Sequence, residues 1–269
     1  MNQVVTTIVS IILMIFLGFI LKKINLLQEK DIDTLNKIVI NVCMPCMIFS
    51  ALFSADLTSL HKFSVLPLVI IFSAAIIGLI AYFILNFFNY NKKQIWSVLI
   101  TILICNTAFM GFPINLGVFG TDGLIRAIFC DMGTLVIFIS LSFILFLVFR
   151  GSIKDAIKKI VLFPPLWAVI LGLSFNLLNL PIGTIPDNII EYLSGGAIPL
   201  IMISLGLSLK LDGFKWNKKM ITFTSVFKLL IFPIIAFIIA NIFNISGLEY
   251  SVVIIESAMP SGMLTMVLA

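Results

Sequence analysis

The amino-acid sequence predicts an all-α polytopic membrane protein, and three observations carry this prediction. The chain of 269 residues is 61% hydrophobic and 11% charged, whereas a soluble domain carries about 25% charged residues. Its mean hydropathy is +1.22, and apolar runs of helix-spanning length follow one another along the chain. The basic residues fall in the short links between these runs, which is typical of membrane proteins and argues against nucleic acid as a partner.

Nine apolar runs are predicted to cross the bilayer as helices, each of which needs about 20 residues. With the N-terminus outside, 13 of the 17 Lys and Arg residues fall on the inner side, and such a bias sets the orientation of a membrane protein. We therefore expect a multi-pass protein of the cell membrane, of the bacterial plasma membrane type, with its N-terminus outside. The runs cover residues 3–21, 34–54, 63–88, 95–118, 124–149, 161–179, 188–209, 220–243 and 249–269.

The fourth run is too polar for a helix that faces lipid. Its second part, Ile104–Gly120, contains Asn106, Thr107, Gly111 and Pro113. Because proline has no N–H and clashes with the preceding turn, a break is expected beside the polar pair. Carbonyls freed in hydrocarbon must face protein or water, and transporters use such broken helices as binding sites.

The two halves of the chain resemble each other weakly. Pro45 in the second run matches Pro199 in the seventh, and both are predicted helix breaks or hinges. The polar pair and Pro113 of the fourth run match Glu256 and Pro260 of the ninth. Because each half would hold five spans, an odd number, the second half would enter from the opposite side. The pattern predicts an inverted repeat in which the broken helices four and nine cross.

This repeat divides the chain into three predicted parts. Residues 1–149 form the first five-helix repeat, and residues 161–269 form the second. Between them, residues 150–160 form a cytoplasmic linker whose isoleucines recur at helical spacing among lysines, which indicates an amphipathic helix on the inner surface. The second repeat holds four runs, so its tenth helix is missing. A truncated chain explains this, and a true nine-span protein is the alternative.

Three ionisable side chains lie within predicted spans, where a charge is costly unless it is paired or hydrated. Asp131 lies in the fifth run, Lys228 in the eighth and Glu256 in the ninth. We expect these residues to couple transport to a proton or another ion, or to gate the path. The structural alternatives are a buried cation beside Asp131, a Lys228 stem that reaches the interface, and a Glu256 that faces Lys228.

Two breaks that meet at the midplane would direct unpaired N–H groups and positive helix ends at one place, which suits an anion. Interhelical hydrogen bonding is the structural alternative for the polar pair. The residues expected to bind the substrate are Asn106, Thr107, Gly111, Pro113, Ser257, Pro260 and Ser261.

No metal site and no cofactor are predicted. The four cysteines, of which Cys43 and Cys46 form a CxxC pattern, all lie in or beside apolar runs and are expected to be small buried residues. His61 is the single histidine, which excludes zinc sites that need two or more imidazoles.

Four short motifs, taken together, resemble one transporter family. They are Asn106-Thr107-Ala-Phe-Met-Gly111-Phe-Pro113, residues 41–52, residues 197–209 and Glu256-Ser-Ala-Met-Pro260. These resemble the fourth, second, seventh and ninth spans of the auxin efflux carrier family, which includes bacterial malate and malonate permeases. The resemblance covers essentially the whole chain.

This resemblance implies ten helices in two inverted five-helix repeats and the carriage of small organic anions. It also implies that Asn106, Pro113 and Pro260 form the crossover at the substrate site, and that Asp131 occupies the acidic position of the fifth span. The long hydrophilic loop of the plant auxin carriers is absent, which argues against auxin as the substrate.

The sequence thus predicts a permease for small organic anions such as malate that works by alternating access, and not an enzyme. Two alternatives remain: a sodium-coupled carrier like the bile-acid symporters, and a membrane sensor that binds an anion without transporting it. An intramembrane protease is disfavoured because His61 lies in an outer loop and no GxGD or GxSG motif is present. Proton or sodium coupling and a homodimer are both left open.

Overall fold

A computed structural model describes residues 3–149, 161–209, 218–262 and 265 of the chain. Within these ranges it contains helices and no strand, which confirms the predicted all-α membrane architecture; the predicted linker 150–160 lies outside them. The longer helices are α1 (Gln3–Lys23), α2 (Glu29–Phe53), α3 (Leu66–Phe87), α4 (Lys92–Leu103), α5 (Thr107–Phe149), α6 (Pro164–Leu177), α7 (Thr184–Ser208), α8 (Lys218–Ile242) and α9 (Gly247–Ser257).

Six of the described helices are long and apolar enough to cross a membrane, fewer than the nine predicted runs. The largest difference from the prediction concerns the fourth and fifth runs. The single helix α5, of 43 residues, contains the second part of the fourth run and the whole of the fifth. This helix bends at Gly120, whose φ of 67° is a left-handed value that glycine adopts without strain. The α4 and α9 helices are short because each ends where the backbone unwinds.

Three of the helices widen into a π-turn just before a proline. In each π-turn, the N–H of the residue before the proline donates to the carbonyl five residues back. Because the proline ring clashes with the carbonyl four residues back, the wider turn lets the helix continue past the proline. The π-turns and their prolines are Val39–Cys43 with Pro45, Thr107–Gly111 with Pro113, and Phe227–Ile231 with Pro233.

The two predicted hinge prolines therefore lie in different settings. Pro45 follows the π-turn of α2. Pro199 lies in α7 just after Gly196, where the backbone makes a turn between two α-helical stretches.

Four helices end with an asparagine in the left-handed conformation, the residue that tolerates it best after glycine. In each case the N–H of the next residue donates to the carbonyl five residues back, at 2.9 to 3.2 Å. This arrangement satisfies carbonyls that a helix end leaves without a partner. The residues are Asn25 after α1, Asn89 after α3, Asn179 after α6 and Asn244 after α8.

The chain forms two compact units, of which unit one comprises Met1–Leu57, Leu116–Ile125 and Lys158–Gly213. In unit one, α1 packs along α7, and α2 packs against α6 and α7. The Asn176 side chain of α6 donates to three carbonyls at the end of α2, at 2.7 to 2.8 Å. This amide supplies donors to a helix end that would otherwise leave acceptors open.

Unit two comprises Thr58–Asn115, Arg126–Ile157 and Phe214–Ala269. Here α3 packs against α4, α8 and α9, and the π-turn of α5 contacts α9. An ion pair between Arg126 of α5 and Glu249 of α9, with an N–O distance of 2.9 Å, adds a charged link. Each unit draws on residues from both predicted repeats, so the units do not coincide with the repeats, and the inverted repeat stays a prediction.

The contact between α1 and α7 depends on two glycines. A Cβ atom at Gly206 would lie 2.8 Å from the Cα of Gly18 and would overlap the carbonyl oxygen of Ile15. Small residues let membrane helices approach this closely, and the approach is a source of stability in lipid.

We expect Gly206→Ala to destabilise the protein, because the added methyl group would meet backbone atoms that cannot turn aside. Overpacking of this kind costs about 1–3 kcal/mol. The measurement is the thermal melting temperature of the full-length protein in detergent. The matched control is Gly195→Ala, since a Cβ atom at Gly195 meets nothing within 4 Å. Equal melting temperatures for the two variants would contradict the close packing.

Candidate functional site

Two unwound stretches pair with each other in unit two. The first, Ile104–Asn106, follows α4, and the second, 260–262, follows α9. The N–H of Asn106 donates to the carbonyl of Pro260 at 2.8 Å, and the N–H of Gly262 donates to the carbonyl of Ile104 at 2.9 Å. Cys105 and Ser261 form the antiparallel bridge between them. The structure thus brings the two predicted breaks together, and they satisfy each other's backbone groups.

The break in the fourth run lies beside the polar pair, as predicted, and not at Pro113 itself. The α4 helix ends at Leu103, and Ile104 is already extended with φ −92° and ψ 109°. Pro113 instead lies within α5 after its π-turn, in the first turn of regular α-helix, where its missing N–H costs little. Pro260 lies in the unwound stretch, where a break was predicted.

The pairing accounts for two of the N–H groups at the breaks. The N–H groups beside the breaks were expected to hold an anion. In this conformation, those of Asn106 and Gly262 donate to carbonyls. The N–H groups of residues 107–109, the first of α5, have no described backbone acceptor, so they remain donors for a ligand together with side chains.

A cavity of about 420 Å³ lies beside the paired stretches, within the size range of small-molecule sites. Its walls come from α4 and α8, and Pro260 contributes to its lining. The polar side chains that line it are Ser97, Thr101, Thr224, Ser225, Ser261 and Lys228.

Lys228 is the charged residue of this cavity, and its side chain is 2% exposed. Its Nζ donates to the carbonyl of Ile102 at 3.0 Å and to Sγ of Cys105 at 2.8 Å, and it lies 4.5 Å from the centroid of the Phe232 ring. The described residues supply no carboxylate partner, so neither predicted alternative holds: the amine does not reach the interface or pair with Glu256. A buried ammonium without a counter-ion is a place where an anion gains a charge partner.

The C-terminal end of α4 is satisfied by groups from other elements. Lys228 donates to Ile102, and the Ser261 hydroxyl donates to the carbonyl of Thr101 at 2.8 Å. The last carbonyls of a helix carry partial negative charge, which a cation stabilises. The break thus supplies a physical reason for a lysine at this depth.

Glu256 lies in a second buried polar cluster and is 0% exposed. Its Oε1 accepts from Nδ2 of Asn115 at 2.7 Å, and the same amide donates to the carbonyl of Gly111 at 3.0 Å. Oε2 of Glu256 and Oδ1 of Asn115 have no hydrogen-bond partner within the described part of the chain. A Cβ atom at Gly111 would overlap the Glu256 carboxylate, so glycine is what lets α5 approach α9 here.

Asp131 is held by Thr107, the second residue of the polar pair Asn106-Thr107. The hydroxyl of Thr107, which is 1% exposed, donates to Oδ1 of Asp131 further along α5. The contact described for Asp131 is thus a hydroxyl rather than the buried cation of the structural alternative.

The predicted substrate residues therefore separate into different environments. Pro260 and Ser261 line the cavity, and Asn106 joins the paired stretches by its backbone while its buried amide does not cap α5. Ser257 donates its hydroxyl to the carbonyl of Ile254 in its own helix, at 2.7 Å. The hinge residues Pro45 and Pro199 belong to unit one.

Sequence reasoning missed three contributors to this region. Asn115 follows Gly111 by one helical turn, and a buried amide in an apolar run was the available signal. Cys105 was assigned to packing, yet its sulfur accepts from Lys228. The hydroxyls on the cavity wall carried no signal, because serine and threonine occur in many membrane helices.

Similarity to known proteins identifies the family of this chain. A family model described as membrane transport protein matches residues 3–155 and 147–269. An uncharacterized transporter of Methanothermobacter thermautotrophicus is 40% identical over 263 residues, which cover 98% of this chain and 87% of that protein. An uncharacterized transporter of Methanocaldococcus jannaschii is 34% identical over 265 residues, which cover 96% and 86%. These names are those of transporters rather than of enzymes. The chain therefore belongs to the membrane transport protein family, the auxin efflux carrier family that its motifs resemble.

Proposed function

We propose that this protein is a secondary transporter of small organic anions such as malate. The observation that carries the proposal is Lys228, a buried ammonium on a cavity wall that lacks a carboxylate partner among the described residues. An anion in the cavity would supply the missing charge. Charge-assisted hydrogen bonds of this kind are about twice as strong as neutral ones.

The hydroxyls of the cavity differ in what they offer to such an anion. Those of Thr101 and Thr224 donate to carbonyls of their own helices, and that of Ser261 donates to α4. Ser97 and Ser225 are exposed on the wall, so their hydroxyls are the donors available beside Lys228. One cation with a few hydroxyls suits a compact carboxylate that also carries a hydroxyl or a second polar group.

Transport on this proposal follows alternating access. With the N-terminus outside, the cavity faces the cytoplasm, because it lies beside the first turns of α4 and α8, which begin at the basic inner surface. The paired stretches then close its far end. A second conformation would open the opposite side, as in carriers built around broken helices.

The buried acids provide two places for a coupling ion on this proposal. Asp131 with Thr107 forms one, and Glu256 with Asn115 forms the other. Proton or sodium coupling, residence in the cell membrane and a homodimeric assembly belong to the proposal as well.

We expect Lys228→Met to reduce the counterflow of labelled malate by at least tenfold in proteoliposomes that contain the full-length protein. Truncating one partner of a buried charge pair costs about 2–5 kcal/mol, and methionine keeps most of the lysine stem. The matched control is Lys219→Met on the same helix, an exposed lysine whose removal should leave counterflow unchanged.

Four outcomes would contradict this prediction or favour a different function. Equal counterflow in wild type and Lys228→Met would remove the lysine from the site. Binding of malate without counterflow would favour a sensor, and uptake that requires sodium would favour a carrier like the bile-acid symporters. If wild type moves neither malate nor malonate, the proposed substrate class is wrong.

We expect Asn106→Ala to slow malate counterflow as well, because a buried amide beside the paired stretches is removed while the backbone pairing is kept. Losing one buried hydrogen-bonding group costs about 1–3 kcal/mol. The control is Asn86→Ala, an exposed asparagine in α3. Counterflow at the wild-type rate in Asn106→Ala would exclude Asn106 from the site.

A further inference from the structure

We propose that Glu256, held by Asn115, is a proton-binding site, and that one proton bound there accompanies each anion through the membrane. This coupling rests on the carrier function proposed above. The buried cluster of Glu256, Asn115 and Gly111 carries the inference, because it contains two acceptor oxygens without a described donor, and a proton on the carboxyl group adds a donor there.

The surroundings of Glu256 disfavour an ionised carboxylate. The side chain is 0% exposed and accepts one hydrogen bond, and the described residues offer it no ammonium or guanidinium. Buried carboxylates that stay ionised accept two or three hydrogen bonds or pair with a cation. Glu256 also lies in the last turn of α9, where the helix dipole repels a negative charge.

Asn115 offers a protonated carboxyl group a hydrogen-bond acceptor. Its Nδ2 already donates to Glu256 and to the carbonyl of Gly111, so both amide hydrogens are in use and the orientation of the amide is fixed. Its Oδ1 remains an acceptor without a donor, as does Oε2 of Glu256. A proton on Oε2 turns one of these two acceptors into a donor, and a carboxylic acid complements a carboxamide where a carboxylate does not.

A proton fits this cluster better than a metal cation. Hard cations take about six oxygen ligands, whereas two side-chain oxygens are open here. Gly111 packs so closely on the carboxylate that a single Cβ atom would overlap it. Among the described residues, no group of three or more His, Cys, Asp or Glu side chains is arranged so that it could hold a metal ion.

The other titratable groups that face Glu256 support a neutral acid in the substrate-loaded state. Asp131 and Cys130 come from α5, and Cys105 comes from the unwound stretch and contacts Lys228 of α8. Asp131 accepts from a hydroxyl, which stabilises its own charge. A substrate anion adds another negative charge to the region, so protonation of Glu256 and loading of the anion favour each other.

The step itself needs no other reactant. A hydronium ion on the side to which the cluster is open transfers its proton to Oε2: one O–H bond of the hydronium ion breaks, an O–H bond forms on the carboxyl group, and a water molecule is left. After the conformational change, that bond breaks toward water on the opposite side, and the anion leaves with the proton.

Infrared spectroscopy tests the site without requiring transport. In full-length protein in lipid, we expect a protonated-carboxyl band that disappears as the pH is raised, that is absent in Glu256→Gln and that is present in Glu191→Gln, in which an exposed acid is removed. Asp131→Asn should keep the band. A band that persists in Glu256→Gln would overturn the proposal.

Asn115→Ala is the second variant, and it also serves if Glu256→Gln does not fold. Loss of the amide should shift the frequency of the protonated-carboxyl band, because the partner of the acid is gone. An unchanged band in Asn115→Ala would exclude Asn115 as the positioning residue of Glu256.

A transport assay tests the coupling. In proteoliposomes, a pH gradient that is acid outside should drive accumulation of labelled malate. We expect the ratio of accumulation to counterflow to fall at least tenfold in Glu256→Gln and to stay at the wild-type value in Glu191→Gln. A wild-type ratio in Glu256→Gln, or accumulation driven by a sodium gradient alone, would overturn the coupling. Absence of counterflow in wild type would instead contradict the carrier function and leave the infrared result standing.

Discussion

The pairing of the two unwound stretches is the interaction on which the rest of unit two depends. Hydrocarbon offers no hydrogen bonds, so a helix can unwind at membrane depth only if other protein groups accept its backbone. The reciprocal bonds between Ile104–Asn106 and residues 260–262 meet that requirement. They use the N–H groups of Asn106 and Gly262, whereas the first N–H groups of α5 have no described backbone acceptor. Among the side chains that line the cavity, Lys228 is the one that can carry a full positive charge.

The same constraint explains the position of that lysine. The broken end of α4 leaves carbonyls that need donors, and these are satisfied by Lys228 and by the hydroxyl of Ser261. The partial negative charge of a helix C-terminus favours the charged form of the lysine in a place where burial disfavours it. Lys228 thus combines a structural role with the proposed functional one, because the contact that stabilises the end of α4 also retains a charge beside the cavity.

Much of this organisation could be predicted from the sequence, because the bilayer constrains both the composition of a membrane protein and the distribution of its charged residues. The all-α membrane architecture, the two breaks and the burial of Glu256 all follow from apolar runs interrupted by polar residues and proline. The place of Pro113 relative to the first break did not follow. Proline disrupts a helix in its interior but is tolerated in a first turn, and the sequence does not say which position Pro113 occupies. The partners of Lys228 and Glu256 were also out of reach, since they depend on how α4, α5, α8 and α9 pack.

The helix ends bear on the predicted repeat, which the compact units do not reproduce. Asn25 and Asn179 end the first helix of each predicted half, and Asn89 and Asn244 end the third, all with the same left-handed cap. Equivalent ends in equivalent places are what two copies of one ancestral segment would retain. The two halves differ at their fourth helices, where Asn106 and Thr107 stand opposite Glu256 and Ser257. In the predicted repeat, shared caps and different polar residues at the breaks would place an amide at one break and a titratable acid at the other. That asymmetry is what a carrier needs in order to bind an anion and a proton at separate groups within one site.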